Sequence, residues 1–190
     1  MELPTPRRFL AGVLLTLGAY AALLPVWFAL DERYGTAVAW TAGHVGFRVA
    51  GVRGFVDPVP GENLSLRYTL PDARSGGWGR VRQRLLNFPD LPLALAGAIG
   101  LTFLSLRRRA LVAAGALSVL FLCHVGLVVL SARKLGGILA RPEITALELN
   151  DLLPTAAESA NEFGDVSPII TIVTIALLAA LLARRRRSIA

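Results

Sequence analysis

Four apolar runs dominate the chain: Phe9–Leu30, Leu91–Leu106, Ala110–Ser131 and Val166–Ala183, none containing Asp, Glu, Lys or Arg. The first and third are long enough to cross a hydrocarbon core of about 30 Å as helices. The second is short for a crossing, but Asn87 and Phe88 can extend it. The fourth begins close to Pro168, a favourable first-turn position. In the first run Pro25 is expected to kink the outer end, and Trp27 sits where an interfacial aromatic belongs. Ala19-Tyr20-Ala21 resembles a small-x-small cleavage site, yet apolar sequence continues nine residues past it, which favours an uncleaved anchor over a signal peptide.

The stretches between the runs read differently. Within Asp31–Asp90, Val38, Ala42, Val45 and Val49 fall at helical spacing. With Trp40, Phe47 and the glycines at 43, 46, 51 and 54, they predict a short helix lying on the membrane surface. Asp57-Pro58-Val59-Pro60-Gly61 reads as a turn. From Asn63 to Leu70 apolar and polar positions alternate, as in a half-buried strand, which needs a partner in Val52–Val56 or in another protein. Ser75-Gly76-Gly77-Trp78-Gly79 reads as a flexible connector, followed by Arg80, Arg82 and Arg84 at alternating spacing. In Ala132–Asp165, Pro142 is expected to open a helix ending near Pro154, with a second from Thr155 to Phe163.

The fold class expected is therefore a membrane all-α protein: four transmembrane helices, with a small α+β extracytoplasmic cap between helices 1 and 2. The organisation that follows is a cytoplasmic N-terminus and first span (1–30) and a cap (31–90). A helical hairpin over 91–131 then holds spans two (91–106) and three (110–131) around a tight three-arginine link. An outer helical loop (132–165) precedes the fourth span with its arginine-rich tail (166–190).

Charge orients this arrangement. Arg7, Arg8, Arg107, Arg108, Arg109, Arg184, Arg185, Arg186 and Arg187 all fall on one side of the four runs, which the positive-inside bias makes cytoplasmic. With Glu2 they give that side +8, while eleven basic and twelve acidic residues in the two outer stretches give −1, recovering the net +7. The basic pI near 10.9 is thus a topology signal. No basic stripe interleaves with aromatics, so nucleic acid is not an expected partner. A hydrophobic content of 54% and a mean hydropathy of +0.58 suit the bilayer better than a soluble domain. The expected location is the inner membrane of a bacterium, with both termini cytoplasmic and membrane lipids in contact.

Chemistry is sparse. Cys123 is the only cysteine, so no intrachain disulfide forms, and no Cys/His spacing indicates zinc. Neighbouring residues on a helix point about 100° apart, so Cys123 and His124 cannot pair productively unless His44 or an arginine joins them. Cys123 is expected to pack as a small apolar residue, and His124 to hydrogen-bond between helices. No catalytic residue, metal site or cofactor is assigned. The binding candidates are Trp78, Arg80, Arg82 and Arg84, which lie where topology does not require arginine, together with His124 as an intramembrane polar group. Small residues at four-residue spacing, such as Ala94/Ala98 and Ala96/Gly100, permit close helix packing.

Three stretches carry a family resemblance: Leu24-Pro25-Val26-Trp27, then Phe88-Pro89-Asp90-Leu91-Pro92-Leu93-Ala94-Leu95-Ala96, then Asn161-Glu162-Phe163-Gly164-Asp165-Val166-Ser167-Pro168-Ile169-Ile170. With the hydropathy pattern they resemble the small multi-pass membrane proteins associated with exosortases, particularly the exosortase H-associated type. The resemblance implies a non-enzymatic accessory protein beside a membrane enzyme that processes C-terminal sorting signals. It brings no catalytic residues with it. The alternatives are a subunit of an envelope lipid or polysaccharide export or assembly complex, and a membrane-embedded cysteine enzyme using Cys123.

Overall fold

A computed structural model describes residues 6–59, 65–84, 90–143 and 168–182. The described chain is mostly helical, with one small sheet. Helix α1 runs from Pro6 to Thr41, continues through a π-helical turn at Ala42–Gly46, and ends as α2, Phe47–Ala50. Strands β1 (Phe55–Pro58), β2 (Ser65–Asp72) and β3 (Gly77–Arg84) follow, then α3 (Asp90–Gly100), α4 (Leu106–Leu139) and a final helix α5, Pro168–Leu182.

Helices α1 and α4 are each long and apolar enough to cross a membrane. At 1.5 Å per residue, their 36 and 34 residues reach about 54 and 51 Å. The other two apolar runs form shorter helices. In α3 only 11 residues are helical, about 16 Å, so that helix alone falls short of a full crossing. The described helices thus include two of spanning length where the hydropathy pattern predicts four.

Helix α1 does not stop where its apolar run ends. Asp31, Glu32 and Arg33 are charged but not helix breakers, and Pro25 lies inside the helix without ending it. The segment expected to lie on the membrane surface, 36–49, is instead the direct extension of α1. What stops it is Gly51, in the left-handed conformation with φ 66°. Its N–H donates to the Arg48 carbonyl and that of Val52 to Phe47, a Schellman cap.

The chain divides into two compact units. The first comprises Met1–Ala29, Phe88–Leu120 and Val166–Ala190. Its core is built from small and aliphatic side chains of α3, α4 and α5: Ala94, Ala98, Val112, Ala116, Ile175 and Ala179. Backbones come close here. A Cβ on Gly12 would sit 2.7 Å from the Gly100 carbonyl, so α1 and α3 touch without side chains between them. The link after α3 is Leu101–Ser105, not the three arginines, which lie in the first turns of α4. Arg109 reaches back across this link. Its guanidinium donates to the carbonyls of Leu104 (2.9 Å), Ile99 (3.1 Å) and Thr102 (3.0 Å), satisfying groups that the end of α3 leaves open.

The second unit, Leu30–Asn87 with Phe121–Asp165, holds the sheet. Strand β2 is central and antiparallel to both neighbours, with Val56 opposite Tyr68 and Tyr68 opposite Val81. The predicted strand therefore finds partners on both sides within the chain. Two predicted breaks are themselves strand: Asp57-Pro58 closes β1, and Gly77-Trp78-Gly79 opens β3. The β2–β3 turn is confined to Ala73–Gly76, and Ala73 donates its N–H to the Leu139 carbonyl of α4. Leu66, Tyr68, Leu70, Val56 and Val81 form the buried face of the sheet. Helix α4 meets the second unit so closely at Gly46 that a Cβ there would lie 2.5 Å from a Val129 methyl. The helices predicted between 142 and 163 lie outside the described residues.

The Arg109 clamp generates a prediction. Replacing it in Arg109→Gln should destabilise the protein by about 1.5–3 kcal/mol, the usual worth of hydrogen bonds from a charged donor. Exposed Arg107, changed in the same way, should cost less than about 0.5 kcal/mol. Thermal unfolding in detergent compares the two, and equal losses would show that the clamp contributes nothing.

Candidate functional site

The period of two that places Leu66, Tyr68 and Leu70 inside places Arg67 and Thr69 on the opposite face of β2. Register then assembles this outer face row by row. Phe55, Thr69 and Arg80 form one row, and Asp57, Arg67 and Arg82 the next. Pro71 and Trp78 form a third. Phe55 and Trp78 stand 61% and 56% exposed, their ring centroids 5.8 Å apart. With Thr69 and Arg80 they line a shallow cavity.

Two large aromatic surfaces in water, ringed by Arg67, Arg80 and Arg82, form an uncommon combination for a strand face. Arg67 and Arg82 are directly opposed across the ladder, where like charges repel. One carboxylate, Asp57, accompanies the three guanidinium groups in these rows. Such a face favours a ligand or partner that is anionic and presents a flat or apolar group to the rings. Of the sequence candidates, Trp78, Arg80 and Arg82 are brought together here, while Arg84 closes β3 opposite Ser65. Sequence reasoning missed Phe55 and Arg67. Both were visible as outward positions of alternating segments, but only the register shows that they adjoin Trp78 and Arg80.

His124 lies elsewhere in the same unit. It is fully buried on α4, and its Nδ1 is 2.6 Å from the Tyr34 hydroxyl of α1, with the two rings edge-on at 5.7 Å. Asp31, one turn before Tyr34, is buried too, and its Oδ1 accepts the Glu32 N–H. Further buried polar groups are Tyr68, Ser131 and Gln83. The Tyr68 hydroxyl is near that of Ser131, but neither completes a hydrogen bond of ordinary geometry. Burial pushes its ionisation well up, outweighing the opposing effect of Ser131, so it stays neutral. The Tyr34–His124 contact is the inter-helix hydrogen bond expected for His124.

Cys123 is half-buried. His44 is exposed, stacks on Trp40 at 4.7 Å, and has its Nδ1 2.9 Å from the Trp40 carbonyl. Among the described residues no three His, Cys, Asp or Glu side chains gather as a metal site. Of the topology arginines, Arg7, Arg8, Arg107, Arg108 and Arg109 lie in the first turns of α1 and α4, whereas 184–187 fall outside the described residues.

A second concavity, of about 510 Å³, lies between the α2 cap, the β2–β3 hairpin and the end of α4. Arg53 and Arg133 line it. So does Asp72, whose carboxylate is held by the Arg74 guanidinium at 2.9 and 3.0 Å, and that pairing keeps its ionisation below the usual carboxylate range.

Comparison with protein-family models, with curated proteins and with solved structures finds no match to this chain.

The buried contact between α1 and α4 can be tested directly. Tyr34→Phe removes the hydroxyl beside His124 and should cost about 1–2 kcal/mol of stability. Cys123→Ser should stay within about 0.5–1 kcal/mol of the parent, because the site is only half-buried. Chemical unfolding of both variants in detergent measures the difference, and an unaffected Tyr34→Phe would remove the hydrogen bond from the account.

Proposed function

We propose that this chain is a non-enzymatic, multi-pass protein of a bacterial inner membrane, acting as an accessory subunit of an exosortase-type protein-sorting system. The single observation that carries recognition, as opposed to anchoring alone, is the outer face of the sheet. Phe55 and Trp78 form an exposed aromatic pair there, beside Arg67, Arg80 and Arg82. Among the described residues the buried face of the sheet is supplied by the alternate positions, not by these side chains.

In this reading four helices cross the membrane with both termini in the cytoplasm. The apolar exteriors of α1 and α4 support two crossings. The charge pattern supports the return between them. Arg107–Arg109 can share a side with Arg7 and Arg8 only if the chain crosses back before residue 107, and α3 is the apolar helix available to do so. A short helix is accommodated by local thinning of the bilayer, at a modest cost per ångström of mismatch. Helix α5 then returns the chain to the side of Arg184–Arg187. The sheet, whose open edges are excluded from hydrocarbon, lies outside the membrane. The exosortase partner follows from the three stretches that resemble such accessory proteins.

Charge reversal tests the recognition face. Arg80→Glu with Arg82→Glu should reduce co-purification with a genetically adjacent exosortase-type enzyme by on the order of ten-fold or more, while insertion into the membrane is unchanged. Undiminished co-purification would remove the sheet face from the interaction. Co-purification instead with an export ATPase or polymerase would favour the envelope-assembly alternative.

A further inference from the structure

The cleft between the α2 cap, the β2–β3 hairpin and α4 is not used by the sheet-face reading, and its construction is specific. One wall is a single face of α4, where Ala132 and Gly136 stand four residues apart, continued by Ala140 just past the helix end. Gly136 lies in the last turn of that helix. Packing does not demand it. A Cβ there would meet nothing within 4 Å among the described residues, and its backbone is ordinary helix. What the missing side chain does is keep the cleft open.

The charge of the cleft is equally defined. Arg53 and Arg133 are exposed at its walls, and among the described residues neither forms an ion pair. The carboxylate in the same lining, Asp72, is occupied by Arg74. A concavity of about 510 Å³ with two guanidinium groups that no described carboxylate pairs has the size of a small-ligand site and the charge to take an anion.

Position narrows the anion. The apolar run of α4 ends at Ser131, so Arg133 to Ala140 lie about 3 to 13 Å beyond it along the helix. If α4 spans the bilayer as proposed above, on which this step rests, the mouth of the cleft opens into the headgroup layer, where phosphate is the prevailing anion.

We propose that this cleft binds a phosphate ester, held by Arg53 and Arg133 and admitted by the bare face of Gly136. The ester comes either from an anionic phospholipid or from a soluble phosphate compound, and the two sources are experimentally separable.

The test uses the full chain in nanodiscs of phosphatidylcholine, with and without phosphatidylglycerol, and separately in detergent with added glycerol 3-phosphate. Thermal unfolding and native mass spectrometry are the readouts. A rise in Tm and retained phosphatidylglycerol identify a lipid, whereas a rise with glycerol 3-phosphate alone identifies a soluble ester. In either case Arg53→Gln with Arg133→Gln should weaken binding at least ten-fold. Gly136→Leu should abolish it, with basal Tm preserved because the added side chain enters empty space. A phosphate-dependent rise that is equal in all three proteins, or absent from the parent, overturns the proposal. Poor incorporation into nanodiscs, read by gel filtration, counts against the membrane spans. The detergent titration reads the cleft independently of them.

Discussion

A bilayer interior accepts only elements that satisfy their own backbone hydrogen bonds, and the rest of this structure can be understood from that constraint. Along α1, Phe9, Leu10, Leu14, Leu17, Val26 and Phe28 are each more than half exposed, and Leu111, Leu122 and Leu130 of α4 and Ile169, Leu177 and Leu181 of α5 are as well. Among the described residues nothing covers these surfaces. In water their exposure would cost roughly 25 cal/mol for each Å² of apolar area, and a hydrocarbon surround removes that cost. The helices are where such a surround is tolerable. The sheet, whose outer strands pair on one side only among the described residues and which carries arginines on its exposed face, is where it is not.

The two units are packed differently. In the first, alanine, glycine and branched aliphatic residues let helix backbones approach, as at Gly12 and Gly100 or where Gly115 meets Leu178. Between helices surrounded by lipid, where no hydrophobic driving force acts, such close contact is a main source of attraction. The second unit buries Tyr68, Gln83, Ser131, Asp31 and His124 alongside its aliphatic core. Polar interiors of that kind specify one arrangement more than they add stability, since each group left without a partner is costly. The short Tyr34–His124 contact is the part of that interior with an identified partner on each helix.

Much of this was legible in the sequence, for reasons that can be named. The apolar runs at α1 and α4 were clear because each continues for 22 residues without a charged side chain. The alternation from Asn63 to Leu70 marked β2 because one face is fully buried. The failures came from punctuation. Ser75–Gly79 reads as a connector by glycine content, yet Gly79 is strand, lying where a Cβ would be only 3.2 Å from a Leu139 methyl. Arg107–Arg109 read as a link because charge ends an apolar run, although arginine is a good helix former and Arg109 binds carbonyls of the preceding link. The surface helix at 36–49 was placed separately from α1 because charged residues intervene, and charge does not break a helix. The binding face was half legible. Trp78, Arg80 and Arg82 stood out by position, but Phe55 and Arg67 join them only through strand register, which local sequence does not encode.

The proposed topology puts the sheet and the arginine clusters of the sequence on opposite sides of a membrane. Single cysteines at Ser75, in the β2–β3 turn, and at Ser188, beyond the last arginine cluster, test it most directly in a Cys123→Ser background. A membrane-impermeant maleimide applied to intact spheroplasts should label the cysteine at 75 and leave that at 188 untouched until the membrane is opened. Labelling of both before lysis, or of 188 alone, would contradict the account.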